Sequence, residues 1–372
     1  MVAPAPPRPW AAAEQALASH GPKMARIGMD LRPLAIAAVV AAVVAAIAAP
    51  SIASADDVSV EVSAKALHGK TRPALVLVAH KAIASAKAEL LAPDGTRSTL
   101  RSKRIAAGGR AELAIDAPVG RTAYEGELEV VFADGTRGSM PLAFEVLVSK
   151  GFSIDPPPRE WFDPVKGTLS FTMTGVADRC EYDVLFDGKE ARRGVERFGG
   201  AAPGTRLTLS WVPHGGDDVV LKVAFVCHDP DGFWAPMNTF PWSLVIPHEE
   251  VIFASGKADI AAAERPKLDE ALEKIATAIR RYGKVIDIKL YVAGHTDTVG
   301  DAASNRSLSI ARARSIAAYF RSKGVRIPIH YAGFGEDQPA VATPDETDEP
   351  ANRRADYVLK VEPPAAGSWS RL

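Results

Sequence analysis

The stretch that decides the fold of this chain is IDIKLYVAGHTDTVGDAASNRSLSIARA, residues 286–313. In its first part Ile286, Ile288, Leu290 and Val292 alternate with Asp287, Lys289 and Tyr291, the period of two expected of a half-buried strand. Gly294 and Gly300 then frame a polar loop, and from about Leu308 the apolar positions return at helical spacing as far as Lys323, stopping at Gly324. A strand that leaves its sheet through a glycine-framed loop and feeds a helix is the elementary step of an α/β domain, and such folds place ligands at the C-terminal ends of strands. That loop contains Asp297. Arg312 follows fifteen residues later in a helix that must fold back on the sheet, so a carboxylate and a guanidinium are expected on one rim. The pair suits a zwitterion: the carboxylate accepts from an ammonium while the planar Arg fork grips a carboxylate. Backbone N–H groups near the helix start, with Asn305, can hold further oxygens.

The flanking sequence extends the same pattern. VIFA (Val251–Ala254) reads as a strand, and Leu268, Leu272, Ile275 and Ile279 recur at helical spacing after Pro266. Asp269, Glu270 and Glu273 stand at the start of that helix and Arg280 and Arg281 at its end, as the helix dipole favours. Two further strands, IPIHYA and DYVLKV (Asp356–Val361), follow the second helix, separated by a Pro- and acid-rich loop. The predicted order is β-α-β-α-β-β over residues 248–362, with the helices packed on a small mixed sheet. The tail 363–372 lacks periodicity and reads as loose.

GHTDTVG with its following N-x-x-L-S-x-x-R-A, then GFGEDQP (Gly333–Pro339) and ANRRA (Ala351–Ala355), resembles the OmpA-like peptidoglycan-binding domain shared by OmpA, Pal and MotB. The resemblance spans residues 251–361, about a third of the chain. Gly294, His295, Thr296, Gly300 and Leu308 carry the motif. The resemblance implies a domain that holds the diaminopimelate of the peptidoglycan stem peptide non-covalently, with Asp297 on its ammonium, Arg312 on its carboxylate, and Asn305 and Arg353 in support. Two features depart from the family pattern: the strand after NRR reads ADYVLKV, and the preceding Asp345, Glu346, Asp348 and Glu349 are unusually acidic.

The remaining two-thirds reads as β structure. Short alternating runs between Val58 and Leu147, punctuated by the hairpin-forming pairs Asp94-Gly95 and Asp134-Gly135, predict an Ig-like sandwich over 56–149. IDPPP (Ile154–Pro158) reads as a stiff linker that can join neither a helix nor a central strand. A second sandwich is expected over 150–247, from TLSFTMTG, EYDVLFDG, RLTLSWV, VVLKVAFVC and WSLVI. Four of the six tryptophans, Trp161, Trp211, Trp234 and Trp242, fall here and are read as core.

Of 372 residues, 47% are hydrophobic, so the chain must fold, while 44 Lys and Arg against 45 Asp and Glu leave no bulk field for nucleic acid. The apolar run Leu34–Ala49, behind Arg26 and Arg32 and before Ala53-Ser54-Ala55, reads as a signal peptide in a leader of residues 1–55, cleaved after Ala55. Export predicts a disulfide between the two cysteines, Cys180 and Cys227. One His beside Asp297 and Asp301 is a poor metal set, and His295, Asp297 and some serine lack a nucleophile elbow. The expectation is a non-enzymatic periplasmic protein without a cofactor or metal, associated with the cell wall, with a place at the outer membrane left open. Its partners are expected to be peptidoglycan and, through the β modules, another envelope protein. Two alternatives carry the same resemblance: an outer-membrane β-barrel over 58–246 with a periplasmic wall anchor, and a wall-targeted periplasmic hydrolase.

Overall fold

Alternating apolar residues build most of this protein into sheets. The computed structural model describes residues 57–215, 219–254 and 256–372; the predicted leader and its cleavage point lie outside them. The described residues fall into two compact units, 57–153 with 231–234, and 154–230 with 235–372.

In the first unit, β1 (Val58–Ser63), β2 (Lys65–Leu67), β3 (Ala74–Ala79), β4 (Ile83–Leu91), β5 (Arg97–Ser102), β6 (Arg110–Ala114), β7 (Gly120–Phe132) and β8 (Arg137–Ser149) make two sheets. Their orders are β1-β3-β6 and β2-β8-β7-β4-β5. Leu75 and Leu77 from the first sheet and Ile83, Leu90, Leu128 and Phe132 from the second share one core. Both Asp-Gly pairs turn as expected. Asp94 Oδ1 accepts from the Thr96 amide at 2.8 Å and Asp134 Oδ1 from the Thr136 amide at 3.0 Å, with Gly95 at φ 85° and Gly135 at φ 87°.

The second unit begins with β9 (Ile154–Asp155), β10 (Phe162–Asp163), β11 (Thr168–Met173), β12 (Ala177–Phe186), β13 (Arg192–Ala201), β14 (Leu207–Ser210), β15 (Val220–His228) and β16 (Trp234–Thr239). Its sheets are β10-β11-β14, joined by β9 on β11, and β13-β12-β15-β16. The start of the IDPPP segment is therefore not a free linker: Ile154 and Asp155 pair with Met173 and Thr172, and the three prolines follow where no ladder N–H is required. None of these sheets closes on itself, and their buried side chains face filled cores, so the membrane barrel that strand alternation also permits is not what these strands form.

Cys180 and Cys227 face each other directly across β12 and β15, are wholly buried, and are disulfide-bonded. With the two cysteines 47 positions apart, replacing both by Ala is expected to cost about 2–4 kcal/mol, read as a lower denaturation midpoint that reductant no longer moves. The tryptophans divide. Trp211 and Trp242 are buried as expected, whereas Trp161 is half-buried beneath the Arg206 guanidinium and Trp234 is 49% exposed.

The same unit continues with β17 (Ser243–Val245), α1 (Arg265–Tyr282), β18 (Lys289–His295), α2 (Ala302–Ser322), β19 (Ile329–Gly335), β20 (Ala355–Lys360) and β21 (Ser370–Arg371). The sheet order is β17-β20-β18-β19-β21, with β18 and β19 parallel and the other pairs antiparallel. Three expectations change here. VIFA is not a strand: Val251 is buried and Ile252 is 67% exposed, so the alternation is real, but the segment joins no ladder. The edge is supplied instead by β17, from the WSLVI run expected in the second sandwich. The tail is not loose, because Ser370 and Arg371 pair with Tyr331 and His330 and Trp369 packs its ring on Tyr291 and Phe334.

Both helices lie in the expected places. α2 begins six residues before Leu308, because Asp301 caps it by accepting from the Ser304 amide at 2.9 Å. At the end of α1, Tyr282 packs its ring at a tilt against Trp242 and donates to Asp187, which also pairs with Arg281 at 2.6 Å. Burial, helped by Asp187, pushes the Tyr282 phenol up to about 12. A raised pKa means the folded state keeps its proton to higher pH, so this stabilisation is complete below the ordinary tyrosine value near 10 and is lost as pH rises towards 12. Burial also raises Tyr124, Tyr182, Tyr291 and Tyr357, so Tyr282→Phe is expected to remove one phenol from a late-titrating group in the phenolate absorbance and leave the others.

Candidate functional site

Two glycines bring α2 against the sheet. A Cβ on Gly294 would lie 2.3 Å from the Ser309 carbonyl oxygen, and one on Gly333 would lie 2.3 Å from the Ile310 nitrogen. The buried Ser309 hydroxyl completes the joint, accepting from the Gly335 amide at 2.9 Å and donating to the Arg306 carbonyl at 2.8 Å. This close approach fixes where the loop after β18 can go. The His295 amide donates to the Arg354 carbonyl and the Thr296 amide to the Gly335 carbonyl, each at 2.9 Å, and the chain then turns out of the sheet at Asp297.

Asp297 and Arg312 are both more than nine-tenths buried. They do not pair with each other. Arg353 Nη1 donates to Asp297 Oδ2 at 2.6 Å and to Asp348 as well. Arg312 donates through Nε to the Lys257 carbonyl at 3.0 Å, and its guanidinium lies 5.1 Å from the centre of the Phe253 ring. Among the described residues no carboxylate forms an ion pair with Arg312. Burial pushes its guanidinium down, Asp297 opposes that, and Arg353 adds to it. Hydrogen bonds from Arg353 to Asp297 and Asp348 push the Arg353 guanidinium up. The rim therefore offers one carboxylate held by an internal cation and one guanidinium with no anion.

Asn305 is a brace in this structure. Its Nδ2 donates to Glu336 Oε2 at 2.8 Å, the Val299 carbonyl at 3.1 Å and the Asp297 carbonyl at 3.4 Å, tying helix, loop and β19 end together. Gly300 takes φ 91°, Thr296 is buried and Leu308 is half-buried. His295 stacks on Phe334, and its Nε2 lies 3.2 Å from Asp356 Oδ2, while Asp301 is occupied as the α2 cap. Arg354 serves the scaffold, donating to the Gln338 carbonyl at 3.1 Å.

Sequence reading missed Phe253, the Lys257 carbonyl and the partner role of Asp348. Only Asp348 had a visible signal, the acidic run. That run is held on the site loop through Thr298, whose hydroxyl donates to the Pro344 carbonyl at 2.9 Å and accepts from the Thr347 amide at 3.0 Å, while its carbonyl accepts from the Glu346 amide at 3.0 Å.

The OmpA family model matches residues 252–353, a span that holds Asp297, Asn305, Arg312, Asp348 and Arg353. Residues 252–353 are an OmpA family domain. A similar stretch occurs in the photosystem I P700 chlorophyll a apoprotein A2 of Gloeobacter violaceus, 32% identical over 126 residues, covering 32% of this chain and 14% of that protein. Another occurs in the outer-membrane lipoprotein YfiB of Pseudomonas aeruginosa, 34% identical over 99 residues, 26% of this chain and 56% of that protein. Among solved structures, the peptidoglycan-associated lipoprotein of Burkholderia pseudomallei is 21% identical and covers 30% of this chain and 88% of its own, with a TM-score of 0.25. The chain thus spans between about a seventh and just over half the length of these two curated relatives.

Proposed function

We infer that this protein binds peptidoglycan non-covalently through the diaminopimelate of the stem peptide and tethers its N-terminal Ig-like β modules to the cell wall in the periplasm. The modules act there as spacers or as the docking surface for another envelope protein, and no catalytic step is assigned to the chain. The observation that carries this reading is the buried Arg312 guanidinium without an anion, on the same rim as Asp297. Burying an ion without a counter-charge costs several kcal/mol, and a ligand carboxylate entering the rim recovers that cost. Asp297 then takes the ligand's ammonium, with Arg353 beside it and Asn305 keeping the loop in place. The name of one curated relative, an outer-membrane lipoprotein, supports an envelope setting.

Co-sedimentation with purified peptidoglycan tests the reading. Arg312→Ala and Asp297→Ala are each expected to weaken binding about thirtyfold or more, the effect of removing one partner of a desolvated charge pair. Full binding by both variants removes the proposed pocket.

A further inference from the structure

The four acids of residues 345–349 look in sequence like one diffuse negative field over the site. In the structure they separate. Asp345 Oδ1 accepts from the Glu346 amide at 2.9 Å, Glu346 Oε2 from the Gly300 amide at 3.3 Å, and Glu349 Oε1 from the Ala351 amide at 3.0 Å. Three of the four are thus engaged with backbone groups. Asp348 alone pairs with a charged side chain of the rim, sharing Arg353 Nη1 with Asp297. Its loop is fastened by the Thr298 bonds and by Glu346 in the left-handed region at φ 53°, so the carboxylate is held in place although its side chain is 74% exposed.

We propose that Asp348 sets the charge selectivity of this site, making its rim favour a net-neutral ammonium–carboxylate ligand over a purely anionic one. The proposal rests on the peptidoglycan reading and deepens it. With Asp297, Asp348, Arg312 and Arg353 the rim sums to zero. Without Asp348 it carries a net positive charge, and two consequences follow. Arg353, left with Asp297 as its one carboxylate, competes harder with an incoming ammonium for that oxygen. Arg353 also becomes a second grip for an anion beside Arg312. The first change weakens a zwitterion and the second strengthens a diacid, so both move the preference the same way. One unit charge acting over about 6 Å at a partly solvated rim changes the ratio of affinities about tenfold.

Titration calorimetry on the full chain with meso-diaminopimelate and with pimelate, the same dicarboxylate without amines, measures this ratio. The unaltered protein is expected to prefer diaminopimelate, Asp348→Asn to lower that preference about tenfold, and Asp348→Glu to keep most of it. A purely structural role for the loop changes both affinities together and leaves the ratio alone. An unaltered protein that binds diaminopimelate, with the same ratio in Asp348→Asn, overturns the role of Asp348 and leaves the peptidoglycan reading standing. An unaltered protein that binds neither compound overturns both.

Discussion

Gly333→Ala is expected to destabilise the second unit by about 3 kcal/mol and to abolish binding at the rim. The new methyl would sit 2.3 Å from the Ile310 nitrogen, 2.4 Å from Ser309 Oγ and 2.6 Å from Ile310 Cγ1. Two of those atoms cannot be moved by a rotamer change alone: the first is α2 backbone, and the Ser309 hydroxyl is tied to Gly335 and Arg306. The helix must therefore back away from β19, which puts the cost at the upper end for overpacking. Arg312 rides on that helix two residues beyond Ile310, so its guanidinium leaves the rim as the helix shifts. Gly294→Ala, against the Ser309 carbonyl at 2.3 Å, is expected to behave alike. Gly300→Ala provides the contrast: nothing lies within 4 Å, and the cost is the φ 91° backbone alone, about 1–2 kcal/mol. Urea midpoints and peptidoglycan co-sedimentation of the three variants check this order. Equal stability of Gly333→Ala and the unaltered chain would show that helix and strand are not in this close contact.

Trp242→Ala has the other large effect, a loss of about 3–5 kcal/mol. Trp242 is 4% exposed in the core that contains Leu268, Ile275, Tyr282 and Leu290, and it stands next to β17, which pairs with β20. Removing the indole opens a cavity under the edge strand and takes away the ring partner of Tyr282, 4.9 Å away. Trp242→Phe keeps a ring there and is expected to recover more than half of the loss. The same pair of variants shows whether residues before 248 belong to the stability of the OmpA domain: a Trp242→Ala protein with an unchanged midpoint for α1 and its sheet would mean they do not.

What could be read along the chain was what depends on neighbours close in sequence. β18 and the glycine-framed loop followed from period two and Gly spacing, and α1 from Leu268, Leu272, Ile275 and Ile279. The start of α2 was hidden because Ser304, Asn305, Arg306 and Ser307 carry no apolar stripe, and only Asp301 marked it as a cap. VIFA looked like a strand because Val251 and Phe253 turn inward, yet inward alternation does not supply a hydrogen-bonding neighbour. The Asp-Gly hairpins and the Cys180–Cys227 bridge were legible, the first from local turn chemistry and the second because a chain expected to be exported has two cysteines, both in strand-like runs of one expected module.

The sequence by itself determined the α/β step at residues 286–313, the OmpA motif, and the choice of Asp297 and Arg312 as opposite charges near one another. Tertiary structure alone decided their partners: Arg353 on Asp297, Phe253 and the Lys257 carbonyl on Arg312, Asp348 on Arg353, and β17 and β21 as the sheet edges. The physical reason is the range of the interactions. Periodicity, caps and turns act over a few residues, whereas most of these partners are far apart in the chain, Arg353 and Asp297 by 56 positions, and even Asp348, five residues from Arg353, is positioned by a loop fastened to the distant Thr298; only the folded register brings such groups to hydrogen-bonding distance.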